Sequence, residues 1–224
     1  MKNYLIVESK NDKFFINAFI AHLKLINIKV SDATICNIDD YECMDGLNHK
    51  KLCQAIGHVK DESEKDSEVF NLGIIIDWDN DTSEQRLKLI NTAISEVFQN
   101  EDKLLAINQF LAVSQDFNIA CYFNGIDEKG ELETVLKHIK PTNQDSKYAD
   151  CLDAWRTCLA PSPLSQKEFD KFWVAQYIRY DTCSRQEKKQ VSTYCTFEAA
   201  MKKPIWDFEN PCLDNLKSFL QLFA

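Results

Sequence analysis

Acidic residues crowd two short segments of the sequence. In "NLGIIIDWDNDT" an apolar run leads directly into Asp77, Asp79 and Asp81. In "NYLIVESKND" a second apolar run ends at Glu8, and Asp12 follows four residues later. Carboxylates this close repel one another unless a cation or a shared proton offsets the repulsion. The spacing therefore points to a cation site, and the alternative that stays open is a solvated polar turn.

Each acidic segment follows a run that is typical of a buried β-strand. In an open parallel sheet, ligands bind beyond the carboxyl ends of the strands. We therefore expect four carboxylates to meet at one edge of the sheet: Glu8, Asp12, Asp77 and Asp79. Hard cations prefer oxygen ligands, so the expected occupant is Mg²⁺ or Mn²⁺.

Three other uses of such acids fit the sequence less well. An EF-hand loop beginning at Asp77 requires Gly and Glu at its sixth and twelfth positions, where this chain has Thr82 and Lys88. A haloacid-dehalogenase-type phosphatase carries its DxD motif on the opening strand, whereas two predicted strands precede Asp77 here. A receiver domain carries adjacent acids after its first strand, and "VESKND" does not.

Hydrophobic periodicity predicts alternating strands and helices over residues 1–140. The predicted strands are "NYLIVE", "KVSDATICNID", "VFNLGIIID" and "FNIACYF". The predicted helices are "DKFFINAFIAHLKLI", "HKKLCQAIGHVK" and "SEQRLKLINTAISEVFQ", the last with Ser83 as its N-cap, and "DESEKDSE" is predicted to be a charged loop. This alternation indicates an α/β fold with a mainly parallel sheet and helices on both faces. Residues 141–224 are predicted to be a helical extension packed on that core, within one overall domain.

The order and spacing of these motifs resemble the TOPRIM superfamily, which includes topoisomerases, primases and OLD-type nucleases. Its members share a glutamate after the first strand and a DxD after a later one, as "VESKNDKFF" and "DWD" do here. The chain looks most similar to OLD-type TOPRIM domains and to small stand-alone bacterial TOPRIM-like proteins of unassigned function. "GELETVL" resembles their G-x-L-E segment, and "DKFWVAQYI" resembles a downstream segment that carries a lysine.

The resemblance implies a Rossmann-like TOPRIM sheet and Mg²⁺- or Mn²⁺-dependent phosphodiester chemistry on nucleic acid, of the nuclease kind. The implied catalytic residues are Glu8, Asp77, Asp79 and Lys171, and the implied metal ligands are Glu8, Asp12, Asp77, Asp79 and Glu133. One position departs from the pattern, because the family usually has Gly directly after the glutamate and this chain has Ser9. That departure counts against catalysis.

The net charge of −9 also counts against a nucleic-acid partner, because nonspecific affinity for DNA or RNA comes largely from Lys and Arg at phosphates. The alternative function is a non-catalytic metal- or nucleotide-binding module. It would regulate or assist a partner in a nucleic-acid-processing or defence system. DNA or RNA, a protein partner and a second copy of the chain all stay open as partners.

The nine cysteines include no CxxC pair. The nearest approach to zinc-ligand spacing is Cys43, His49 and Cys53. Scattered reduced cysteines that act as small apolar residues of a cytoplasmic protein are the favoured interpretation. Apolar runs fall short of the ~20 residues of a membrane span, and Glu8 comes too early for a signal peptide. We therefore expect a cytoplasmic protein without a membrane partner.

Overall fold

The described residues form one five-stranded sheet in a computed structural model that covers residues 1–32, 34–35, 47–65, 68–143, 146–159 and 164–224. The strands are β1 (Lys2–Val7), β2 (Ile28–Val30), β3 (Phe70–Asp77), β4 (Leu111–Ser114) and β5 (Phe117–Asn124), in the order β2-β1-β3-β5-β4. All neighbouring pairs are parallel except β4 and β5. The predicted α/β class with a mainly parallel sheet is confirmed.

Helices surround the sheet and fill the C-terminal part of the chain. The α-helices are α1 (Lys10–His22), α2 (His49–Ser63), α3 (Ser83–Phe98), α4 (Leu132–His138), α5 (Lys147–Cys158), α6 (Gln166–Gln176), α7 (Val191–Tyr194), α8 (Phe197–Met201) and α9 (Asp214–Gln221). A π-helical turn, Tyr177–Asp181, follows α6, and short 3-10 helices cover Glu187–Gln190 and Pro211–Leu213. No helix among the described residues has both the length and the hydropathy that a bilayer crossing requires.

The central strands β1, β3 and β5 bury side chains on both faces, and successive side chains point to opposite sides of the sheet. Leu5 packs in a layer with α1, α4, α6 and α9, whereas Ile6 packs in a second layer with α2 and α3. The central strand β3 is buried at every position. A continuous apolar run is what such a doubly covered parallel strand requires.

The C-terminal helices share the first of these two layers. Phe219, in α9, and Phe223, just after this helix, lie fully buried against β3. A Cβ atom at Gly73 would come within 2.8 Å of Phe223 Cζ and 3.0 Å of Phe219 Cζ. Glycine at this strand position therefore allows α9 to pack closely on the sheet.

A row of asparagines crosses the three central parallel strands near their amino ends. Asn118 Nδ2 donates to Asn71 Oδ1 at 2.9 Å, and Asn71 Nδ2 donates to Asn3 Oδ1 at 2.9 Å. Asn3 Nδ2 then donates to the backbone carbonyl of Phe223 at 2.7 Å. The three residues are register partners on β1, β3 and β5. The row therefore satisfies buried amides and ties the C-terminal segment to the sheet.

Several local predictions were wrong. The antiparallel edge strand β4 was not predicted. The predicted second strand is only Ile28–Val30 within the described residues, and α2 continues to Ser63, into the predicted charged loop. Thr82, not Ser83, is the N-cap of α3: its hydroxyl accepts from Gln85 N–H, and the Gln85 side chain accepts from Thr82 N–H.

The expectation of reduced cysteines throughout is also wrong. Cys183 and Cys195 form a disulfide with their Cα atoms 5.9 Å apart. It joins the end of the π-helical turn to the residue that follows α7. Among the remaining described cysteines, Cys121 is a buried apolar residue as expected, whereas Cys151 and Cys158 are exposed. Cys43 of the zinc-like spacing lies outside the described residues.

Candidate acidic site

The sheet brings the acids of the two segments together. β1 and β3 are parallel neighbours, so Glu8, which follows β1, and Asp77, which ends β3, lie at the same edge. Asp77 N–H donates to Glu8 Oε2 at 3.2 Å. Both side chains are buried. Burial, followed by the Asp12 and Asp79 charges, raises the pKa of Glu8 to about 7.

Asp12 reaches this edge from the first turn of α1. Its carboxylate accepts from the Ser9 backbone N–H at 3.0 Å and from the Ser9 hydroxyl at 2.6 Å. Ser9 is the N-cap of the helix, and its hydroxyl oxygen in turn accepts from Asp12 N–H at 3.3 Å, so the pairing is a capping box. The backbone of Ser9 is extended, with φ −128° and ψ 171°. Any residue adopts this conformation, so the backbone at Ser9 does not require the glycine that TOPRIM proteins usually have.

Asp77 has the most costly environment of the group. Its Oδ1 is buried and has no hydrogen-bond partner. Burial, and then the charges of Asp12, Glu8, Glu131 and Glu133, raise the pKa of Asp77 well above its usual range. A buried carboxylate oxygen without a partner carries the full cost of its lost hydration. A proton or a cation on this oxygen would offset that cost.

Glu131 is a further acid that the sequence reasoning missed. It directly precedes α4, its side chain is buried, and its Oε1 has no hydrogen-bond partner. Burial raises the pKa of Glu131, although Lys171 and Lys167 partly offset the effect. The signal was present, because "GELE" contains two glutamates and only the second, Glu133, was selected. Glu133 is also buried, in the first turn of α4.

The loop before α4 is joined to the DWD loop by backbone hydrogen bonds. Asp79 N–H donates to the Gly130 carbonyl at 2.8 Å, and Gly130 N–H donates to the Asp79 carbonyl at 3.2 Å. Asp79 has φ 49° and Gly130 has φ 83°. A Cβ atom at Gly130 would come within 2.6 Å of Thr134 Oγ1. The pairing therefore fixes Glu131 beside the acids that follow β3.

Asp79 is held by cations, unlike Asp77. Arg86 Nη2 lies 2.5 Å from Asp79 Oδ2, and Lys167 Nζ lies 2.8 Å from Oδ1. Burial alone would raise the pKa of Asp79, but Lys167 and Arg86 outweigh it, and the pKa falls below its ordinary value. Both oxygens are thus engaged. A metal ligand at this position would first have to exchange a cationic partner.

Lys171 lies at the site, and Lys167 lies closer to its carboxylates. Glu131 Oε2 is 3.0 Å from Lys167 Nζ and 3.6 Å from Lys171 Nζ. Both lysines come from one face of α6, four residues apart, as helical periodicity requires. Lys167, which was not selected from the sequence, contacts two of the acids. Burial would lower the pKa of Lys167, but Asp79 and Glu131 outweigh this effect and raise it above its usual range.

The donor set fits a hard cation in its chemistry. Buried carboxylate oxygens without partners on Asp77 and Glu131 are the ligands that Mg²⁺ or Mn²⁺ takes. The acids are spread more widely than in a closed coordination sphere. Among the described residues, the one trio of metal-ligating side chains with donor atoms within 4.8 Å of one another lies elsewhere, on α2 and α3.

Comparison with known proteins places the chain in a family. A family model with the description "Protein of unknown function (DUF3226)" matches residues 2–224. The chain belongs to this family. No curated protein and no solved structure matches this DUF3226 chain. The similarity to TOPRIM proteins therefore stays a prediction, and the chemistry of the acidic site is the basis for a functional proposal.

Proposed function

We propose that this DUF3226 protein carries out Mg²⁺- or Mn²⁺-dependent phosphodiester cleavage on nucleic acid. The observation that carries the proposal is the unsatisfied Oδ1 of Asp77, which is buried beside Glu8 at the carboxyl edge of the parallel sheet. Such an arrangement is costly for the folded protein unless a proton or a cation offsets the buried charge. Binding sites in open parallel sheets lie at this edge.

Glu8, Asp77 and Glu131 are the residues that would hold the cation, with Asp12 and Glu133 close enough to influence Asp77 electrostatically. A bound divalent ion supplies polarisation of the phosphate and stabilises charge on the leaving oxygen. Lys167 and Lys171 stand beside Glu131 with side chains 49% and 35% exposed. Their exposure allows them to contact a phosphate and to offset negative charge that develops on it.

One observation favours the alternative of a non-catalytic module. Lys167 and Arg86 already occupy both oxygens of Asp79, the second acid of the DxD motif. Together with the net charge of −9, this leaves fewer free cations for a polymer. In that case the site would bind a cation or a nucleotide and act through a partner. We place either activity in the cytoplasm, where nucleic acid is available.

The test combines metal binding with cleavage. Millimolar Mg²⁺ or Mn²⁺ is expected to raise the melting temperature, because the ion binds only the folded state. Asp77→Asn is expected to remove this shift and, with it, cleavage of labelled single- and double-stranded DNA and RNA. Asp116→Asn is the matched control, because Asp116 is exposed at the amino end of β5. It should leave both readouts unchanged.

The outcomes separate the two functions. Metal binding with Asp77-dependent cleavage supports the enzyme. Metal binding that Asp77→Asn removes, without cleavage of any of the four polymers, supports the module. A metal-induced shift that persists in Asp77→Asn would place the cation elsewhere and overturn the proposal.

A further inference from the structure

A second set of metal-ligating side chains lies on the other face of the sheet, away from the acidic site. His49 begins α2, Cys53 lies one turn later, and Glu96 lies in the last turn of α3. Their donor atoms all lie within 4.8 Å of one another. His49 and Cys53 were noted in the sequence for their spacing, whereas Glu96 is far along the chain and only the fold brings it near.

We propose that His49, Cys53 and Glu96 form a binding site for a borderline-soft divalent cation such as Zn²⁺. The three donors are an imidazole nitrogen, a thiol sulfur and a carboxylate oxygen. These are the ligand types that zinc takes, and three protein ligands with one open position are a common zinc arrangement. Mg²⁺ prefers oxygen ligands, so the chemistry of this site differs from that of the acidic site.

The distances between the donors fit this proposal. Cys53 Sγ lies 3.5 Å from His49 Nε2, and His49 Nε2 lies 3.6 Å from Glu96 Oε2. In a tetrahedral zinc site the ordinary bond lengths put sulfur and nitrogen about 3.5 Å apart, and nitrogen and oxygen about 3.4 Å apart. The side chains therefore already stand near the separations that one ion would impose.

The scaffold beneath the donors is rigid. α2 and α3 pack together through Leu52, Ile56 and Ile90, all of them fully buried. Lys60 also donates to the carbonyl of Val97 at 3.1 Å and joins the two helices a second time. A ligand pair four residues apart on one helix faces the same side. The two helices are thus fixed against each other, and an ion held by the three donors would join α2 to α3 once more.

The same atoms have an alternative use without a metal. Cys53 and His49 are close enough for a weak hydrogen bond, and His49 with Glu96 forms an ion pair when the imidazole is protonated. Burial, and then Glu96, raise the pKa of the Cys53 thiol to about 11. A cation would have to displace that proton. A metal-binding experiment separates the two uses directly.

The experiment uses the full chain, freed of metal by a chelator, and titrates it with Zn²⁺ in competition with a chromophoric chelator. One equivalent is expected to bind and to raise the melting temperature. Cys53→Ala and His49→Ala are each expected to weaken binding by more than about 10-fold, since loss of even an outer partner of a ligand costs that much. Co²⁺ is expected to give a thiolate-to-metal charge-transfer band that Cys53→Ala removes.

The controls replace a histidine and a cysteine that do not belong to the set of His49, Cys53 and Glu96. His58→Ala removes a histidine on the same helix that pairs only with Glu62 among the described residues, and Cys151→Ala removes an exposed thiol. Both should bind Zn²⁺ as the unmodified chain does. Asp77→Asn should also leave Zn²⁺ binding intact, so failure of the acidic-site proposal is distinguishable from failure here.

Glu96→Gln tests the same Zn²⁺ site if the Cys53→Ala variant does not fold. Its side chain is 64% exposed, so the substitution leaves the helix packing undisturbed. It should weaken Zn²⁺ binding while the metal-free melting temperature stays within the range of the controls. Unchanged affinity in both Cys53→Ala and Glu96→Gln, or Co²⁺ binding without a thiolate band, would overturn the proposal and leave a hydrogen bond and an ion pair only.

Discussion

Glu8→Gln is expected to stabilise the metal-free protein, and to do so only above a certain pH. Burial and the neighbouring Asp12 and Asp79 raise the pKa of Glu8 from its ordinary 4.5 to about 7. Below pH 4.5 this carboxyl is protonated in both the folded and the unfolded protein, and the substitution changes little. Between pH 4.5 and 7 the folded protein retains a proton that the unfolded chain has lost. The free energy of unfolding therefore falls as pH rises through this window.

The size of the effect follows from the width of the window. Each pH unit corresponds to about 1.4 kcal/mol, so the loss attributable to Glu8 is about 3 kcal/mol once the pH exceeds about 7. The amide that replaces the carboxyl in the Glu8→Gln variant carries no charge at any pH, and its carbonyl can still accept from Asp77 N–H. For a chain of this length, about 3 kcal/mol corresponds to about 6–12 °C in melting temperature.

The assay is thermal unfolding in a chelator at about pH 4.5, 6 and 8, with Glu101→Gln as the control at an exposed position. The Glu8→Gln variant should match the unmodified protein at the lowest pH and exceed it by about 6–12 °C at the highest. Added Mg²⁺ or Mn²⁺ should narrow the gap at the highest pH, because the cation stabilises the protein with the intact carboxylate. A gap that is equal at all three pH values, or a less stable variant at the highest, would refute the reasoning.

Three further substitutions test other parts of the structure. Lys167→Ala should lower the metal-free melting temperature and tighten Mg²⁺ or Mn²⁺ binding, because it removes the cation shared by Asp79 and Glu131; weaker metal binding in calorimetry would contradict this. Gly73→Ala should destabilise the protein by about 1–3 kcal/mol in urea unfolding, because the new methyl group overlaps the side chains of Leu5, Phe223 and Phe219; an unchanged midpoint would mean that these side chains shift freely. Ser9→Gly should lower the free energy of unfolding by about 0.5–1 kcal/mol, since it removes the hydroxyl that pairs with Asp12 while glycine can still adopt the backbone conformation. A more stable variant in urea unfolding would show that the extended backbone at this position prefers glycine.

The meeting of Glu8 and Asp77 could be predicted because the carboxyl ends of parallel strands share an edge. Glu131 was a candidate by sequence, because "GELE" contains two glutamates, but the placement of Glu131 and Lys167 beside these acids could not be predicted in the same way. Their position depends on the Asp79–Gly130 pairing and on how α6 packs, and these are tertiary contacts without a local pattern. The resemblance supplied Lys171, one turn away from the lysine that contacts two acids.

Some missed features did carry a local signal. Thr82 is followed at the third position by Gln85, which completes a capping box, whereas the corresponding position after Ser83 is Arg86. The edge strand β4 carried a weaker local signal, because its turn into β5 contains no glycine and the strand is only four residues long. The pairing of Cys183 with Cys195 carried no local signal, since nine cysteines leave the disulfide connectivity undetermined.

The two acids that end at the carboxyl edge of the sheet lie at short, fixed sequence distances from the asparagine row. Glu8 lies five residues after Asn3, and Asp77 lies six residues after Asn71. A one-residue insertion between an asparagine and its acid would move that carboxylate by about 3.3 Å along the strand and turn the intervening side chains to the opposite face. Slippage of a whole strand would instead break the amide row and leave a buried donor unsatisfied. A change in the number of residues between an asparagine and its acid should therefore disturb the acidic site even where the amide row stays intact.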